Sequence, residues 1–94
     1  MNNKNAAVSK MQAAHLELTA RLVEIYGRQD GMKNSAVLVP AILGDFAGML
    51  EKAGIGDTVS ETYRTEDGAA EISLQAVKGS GTPEQIRVLV RKLD

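Results

Sequence analysis

The dipeptide Asp67-Gly68 sits midway in a stretch of alternating polar and apolar residues from 58 to 77, and nothing else in the chain constrains the fold as tightly. Asp-Gly between two alternating runs signals a tight β-hairpin, because the turns that match strand twist need positive φ, which these residues tolerate. A register follows from it. Pairing Glu66 with Ala69 sets Arg64 opposite Glu71, Thr62 opposite Ser73 and Ser60 opposite Gln75 on a polar face. The same register sets Tyr63 opposite Ile72 and Val59 opposite Ala76 on the other face, with Leu74 beside them. Only Glu61, facing Leu74, disagrees. A two-stranded hairpin is marginal alone, so its apolar face must lie on helices.

Those helices are legible upstream. Residues 5–29 read as one long helix in which Val8, Met11, His15, Leu18, Leu22 and Ile25 recur at alternating steps of three and four, the spacing of a seam facing one neighbour. Ala13, Leu16, Ala20 and Val23 occupy another side, and Glu17–Arg21 and Glu24–Arg28 mark the wet face. A helix apolar on two sides is expected to be pressed between its own domain and something else. Gly27 to Ser35, rich in Gly, Asp, Asn and Lys, reads as a loop. A second helix should start between Ser35 and Pro40, with the later start favoured because proline is comfortable only in a first turn. It should end where Gly54 takes a left-handed cap. Its broad apolar face is Val39, Ile42, Leu43, Phe46, Met49, Leu50 and Ala53. Ala41, Gly44 and Gly48 form a strip that another helix could approach closely.

Past the hairpin, Gly79-Ser-Gly-Thr reads as a flexible joint. Thr82, Pro83 and Gln85 then supply an N-cap, an N1 proline and a capping-box partner for a final helix to about Leu93. The β-branched run from Ile86 to Val90 also suits a third strand; the cap favours the helix. The expected fold is α+β, one small domain over residues 1–94 with residues 1–4 a disordered tail. Its order is helix-helix-strand-strand-helix, with the β-hairpin packed on a helical layer.

Composition narrows the function. Three aromatic rings in 94 residues, Tyr26, Phe46 and Tyr63, force an aliphatic core and leave little for stacking bases. There is no cysteine, which removes disulfides, thiolate metal sites and a cysteine nucleophile. The N-terminus has no apolar signal region. The longest apolar stretch, Ala36 to Leu50, falls short of the roughly 20 residues a bilayer needs. A soluble cytoplasmic protein without membrane attachment is expected. The net charge of −1 is unevenly spread, about +2 over residues 1–34, −5 over 35–71 and +2 over 72–94. Such a balance predicts neither strong DNA affinity nor strong membrane attraction.

Candidate chemistry is sparse. His15, the only histidine, could act as a base or pH switch, but no Asp, Glu or Ser lies one helical turn away to orient it. It reads better as a helix-contact residue, facing its own copy across a two-fold axis. Asp45 and Glu61 are carboxylates on otherwise apolar faces, and no spacing brings them together. Lys78-Gly-Ser-Gly-Thr before a helix suggests an anion nest, yet it lacks the phosphate-loop form and reads more simply as a connection. No catalytic residue, cofactor site or metal site is expected, and the chain does not read as an enzyme.

The stretch MLEKAGI at 49–55, followed by a hairpin tipped with Asp-Gly and then a helix, resembles the passage from recognition helix into wing in winged-helix repressors. That resemblance covers about half the chain and implies a DNA-binding regulator. Charge points elsewhere: the would-be reading helix offers one lysine and two acids, and the hairpin is acidic. The leading expectation is therefore a self-associating protein-interaction module, an accessory or inhibitory protein for a larger, nucleic-acid-handling partner, as small phage and plasmid proteins often are. Met11, His15, Leu18, Leu22 and Ile25 would form a dimer seam. Glu61, Arg64, Glu66, Asp67 and Glu71 would present the acidic hairpin to a basic surface on the partner, and direct nucleic-acid binding is not expected.

Overall fold

A computed structural model describes residues 3–80 and 85–93, which form two helices and then a three-stranded antiparallel sheet. The α+β class is as expected, but the order ends in a strand. Helix α1 spans Asn3–Tyr26 and α2 spans Arg28–Lys52. Asn3 and Lys4, expected in a tail, belong to α1, and residues 1–2 lie outside the described residues.

The loop expected over Gly27 to Ser35 is a single residue. Gly27 takes φ 89 and ψ 166, a conformation essentially confined to glycine, and so reverses the chain alone. Its N–H still donates to Val23 O (2.8 Å), and its carbonyl already accepts from Gly31 N (2.8 Å), so one residue ends α1 and starts α2. At about 1.5 Å per residue the two helices are roughly 36 and 38 Å long. The longest dimension of the Cα trace is 38 Å, so they must fold back on each other. Gly31 makes the corner possible: a Cβ there would meet Val23 N at 2.8 Å and Val23 Cγ2 at 2.9 Å.

Pro40 lies inside α2 rather than in its first turn. Buried residues on both sides of it, Gly31, Ser35 and Val39 before, Ile42, Leu43, Phe46 and Leu50 after, lie on one continuous face. Burying that face outweighs the roughly 3 kcal/mol that an internal proline costs. Pro40 and Ala36, whose carbonyl loses its donor, are both exposed, so solvent can reach the gap. The expected left-handed cap at Gly54 is also corrected. The helix closes at Ala53, in extended conformation, and the positive φ falls at Gly56 in the turn that follows.

Strands β1 (Thr58–Arg64), β2 (Ala70–Val77) and β3 (Arg87–Lys92) pair in that order, β2 in the middle. The β1–β2 register matches the expected one from Thr58↔Val77 to Arg64↔Glu71. The turn is wider than two residues: Gly68 N donates to Thr65 O (2.9 Å) with Gly68 at φ 73, so the expected Glu66–Ala69 pair is not a rung.

The final helix is not formed. Gln85 and Ile86 precede β3, whose register runs from Ala70↔Lys92 to Gln75↔Arg87; the expected cap at Thr82 and Pro83 lies outside the described residues. The physical reason is period two. Ile86, Val88 and Val90 turn inward while Arg87, Leu89 and Arg91 turn outward, and the second edge of β2 needed a partner.

The core lies between the two layers. Ala14, Leu18 and Leu22 of α1 and Val39, Ile42, Leu43, Phe46 and Leu50 of α2 meet Ile72, Leu74, Ala76 and Ile86. Helix α1 lies over β3 and α2 over β1. Among the described residues no helix covers the opposite face of the sheet.

Candidate interaction surfaces

Among the described residues, polar ties at three places hold the layers together, and they use up several residues that the sequence offers as functional. The first is at the β1–β2 turn, where Asp67 Oδ1 accepts from Tyr26 OH (2.8 Å), Thr65 Oγ1 (2.8 Å) and Ala69 N (3.0 Å). The Ala69 N–H, then the Thr65 and Tyr26 hydroxyls, favour the charged form and hold the Asp67 carboxyl below the usual carboxylate range. The second is Tyr63 OH donating to Asp45 Oδ2 (2.7 Å). Burial first, then the Asp45 carboxylate, then the charge of Glu61, push the Tyr63 phenol far above its ordinary value. Asp45 and Glu61 therefore do act on a common group, but the effect is to keep a proton on Tyr63. The third is Lys78 Nζ donating to Leu50 O (2.7 Å), a cation on the C-terminal carbonyls of α2. The lysine of the would-be anion nest thus serves as a helix cap.

The expected dimer seam faces inward instead. Leu18 and Leu22 are fully buried in the chain's own core, Met11 packs on that core, and His15 and Ile25 are half-buried beside it. The side of α1 left open is the second line. Leu16, two residues from both Ala14 and Leu18, points away from the sheet and is 69% exposed. On α2, Val37 stands in the same relation to Ser35 and Val39 and is 78% exposed. Around them Ala13, Ala20, Pro40, Ala41 and Gly44 are also exposed. A Cβ added at Gly44 or Gly48 would touch nothing, so among the described residues no helix packs on the small-residue strip. Val37 and Ala41 also border a hollow of about 350 Å³ against Thr65, Glu66 and Asp67.

The hairpin residues are not a uniformly acidic surface. Glu71 is shared by Arg91 (2.9 Å) and Arg64 (3.4 Å), which puts all three on the outer face. Asp67 is tied as described, and Glu66 is exposed at the turn. Glu61, on the inner face, turns back so that its Oε1 accepts from Thr62 N (3.2 Å). Thr65 N donates to Ala70 O, so the odd residues of β1 bond to β2 and the even ones, Thr62 included, point their N–H at the open edge. Glu61 therefore caps an edge donor, which accounts for its place among apolar neighbours.

The outer sheet face is a ladder of cross-strand rows: Ser60–Gln75–Arg87, Thr62–Ser73–Leu89 and Arg64–Glu71–Arg91. Thr62 and Ser73 are small, with their hydroxyls 3.3 Å apart, so the face is hollowed there. The hollow, about 460 Å³, is bordered by Ser60, Thr62, Ser73, Gln75, Arg87 and Leu89. Leu89 is 62% exposed. Burial and register show this face; the sequence hides it by pointing to a helix over residues 82–93.

Among the described residues no group of three His, Cys, Asp or Glu side chains could hold a metal ion, and no helix is long and apolar enough to cross a membrane. No protein family, no curated protein and no solved structure matches this chain.

Proposed function

We propose that this chain is a protein-interaction module that pairs with a second copy of itself through the outer face of its helical layer, and so presents two sheet faces to a larger partner. The exposure of Leu16 and Val37 on the side of the helices that no other described element covers carries this reading. Apolar side chains grouped with alanine, glycine and proline gain most from an apolar surface of like shape, and a two-fold axis supplies one at no extra design. Two helices of this length side by side offer roughly 600 Å². A standard interface takes about 800 Å² from each partner, so a modest, concentration-dependent dimer is expected. The absence of cysteine suits the reducing cytoplasm, where we place the protein.

Sedimentation velocity across a concentration series tests the pairing. The parent should approach twice its 10.0 kDa mass as concentration rises, and Leu16→Glu and Val37→Glu should each hold it at one mass with an unchanged far-UV spectrum. A parent that stays at one mass to several hundred micromolar refutes the reading.

A further inference from the structure

We propose that the outer face of the β-sheet docks an acidic segment of a partner protein, with Arg87 as its anchor. Among the described residues the face holds three guanidinium groups, Arg64, Arg87 and Arg91, against the carboxylate of Glu71 and that of Glu61, which borders the hollow from the β1 edge with one oxygen engaged by Thr62 N, in a chain whose total charge is −1. It is the positive side of a slightly negative molecule. Two of the three cations are committed, since Arg64 and Arg91 both pair with Glu71. Among the described residues Arg87 has no such carboxylate. It stands at the rim of two hollows, the one of about 460 Å³ and a neighbour of about 250 Å³ bordered by Thr58, Gln75, Val77 and Gln85.

The chemistry around Arg87 suits carboxylates on a peptide. A guanidinium binds a carboxylate through two parallel N–H groups, and the hydroxyls of Ser60, Thr62 and Ser73 can donate to its remaining lone pairs. The hollow crosses all three strands between the Gln75–Arg87 row and the Glu71 row, so a short segment can lie across the sheet. Exposed Leu89 and Val77 give its apolar atoms something to touch.

A nucleic acid fits less well. All three rings of the chain are engaged elsewhere: Phe46 is buried, Tyr26 bonds Asp67 and Tyr63 bonds Asp45. No aromatic ring is left to stack a base on this face, and the Glu71 carboxylate would repel a phosphate beside it. The docking face is independent of the helical face, so either proposal can fail alone.

The test is fluorescence anisotropy of the full chain with a labelled hexaglutamate peptide, with labelled hexalysine and a single-stranded oligothymidine as comparators. Hexaglutamate should bind, hexalysine should not, and oligothymidine should bind at least ten-fold more weakly than hexaglutamate. Arg87→Glu should weaken hexaglutamate at least ten-fold, whereas Arg28→Glu, the same charge change on the helical layer, should alter it less than two-fold. Ser73→Tyr, which fills the hollow without changing charge, should also weaken it ten-fold. Ser73→Gln replaces it if circular dichroism shows that the tyrosine variant does not fold. No binding of hexaglutamate, equal losses from the two arginine variants, or full binding by the filled hollow would overturn the proposal. Tighter binding of oligothymidine that Arg87→Glu abolishes would also overturn it, making the face a nucleic-acid surface. Sedimentation of the same samples reports the helical pairing separately.

Discussion

Asp67 collects three donors on one oxygen at the point where the β1–β2 turn meets the end of α1, so a single ionised carboxylate fixes both the turn and its distance from the helices. Its folded-state pKa is depressed, so the stability it contributes is present above its unfolded value, near 4, and is lost as pH falls through the lower folded value. Asp67→Asn keeps an acceptor oxygen but cannot titrate. The variant should be less stable than the parent at pH 7, and the gap should narrow by pH 3, read as the difference in urea midpoint between the two proteins. Asp67 was legible as a turn residue, since Asp-Gly demands a turn. Its bond to Tyr26 was not, because no local pattern links residues 41 positions apart. Glu61 stood out in the sequence as the one misfit of the register, and the misfit was informative: a charge on the inner face of an edge strand is a protective device.

Among the elements, α2 departs furthest from what local rules imply. Its proline sits mid-helix because the faces before and after it are buried together, a long-range gain that no window of residues around Pro40 displays. Pro40→Ala restores an N–H for the Ala36 carbonyl and removes the clash, and the added freedom of the unfolded chain offsets part of that gain. The variant should be more stable by about 1–2 kcal/mol in urea unfolding; an unchanged or lower midpoint would show that the proline is matched to its surroundings. The β1–β2 register was readable because side-chain alternation and the Asp-Gly turn state the same answer twice. β3 was not, because Thr82, Pro83 and Gln85 offer good helix-start chemistry beside a run whose alternation is equally good strand chemistry. What decides is the unpaired edge of β2, visible only once the sheet exists. The sequence marks Gly27 only as the start of a loop reaching Ser35, within a first helix expected to run to residue 29, and its power to reverse the chain unaided depends on Gly31 letting Val23 approach.

At the scale of the molecule, β3 closes the core beneath α1, with Ile86 buried and Val88 and Val90 packed against the same cluster as Leu18 and Leu22. A chain this small keeps few apolar contacts in reserve. Deleting residues 85–94 should therefore abolish cooperative unfolding, seen as a shallow urea transition and strong binding of a hydrophobic dye. A sharp transition in the shortened chain would mean that the helices and the β1–β2 pair suffice. The candidate surfaces belong to this scale as well. They are defined by what the packing leaves uncovered, which is why residues picked from the helix pattern, such as Leu18 and Leu22, proved to be core, while Leu16, Val37 and Arg87 face outward.

Among the described residues the two outer strands leave the sheet open at both sides, and β1 of one copy laid on β3 of the next would repeat the same join without end, growing a ribbon rather than a closed pair. The Glu61 side chain folded over the Thr62 N–H blunts one side, and Arg87, Arg91 and Lys92 crowd the other with like charge. A handful of side chains therefore opposes such a ribbon, and Glu61, the residue that fits its strand least well, is one of them.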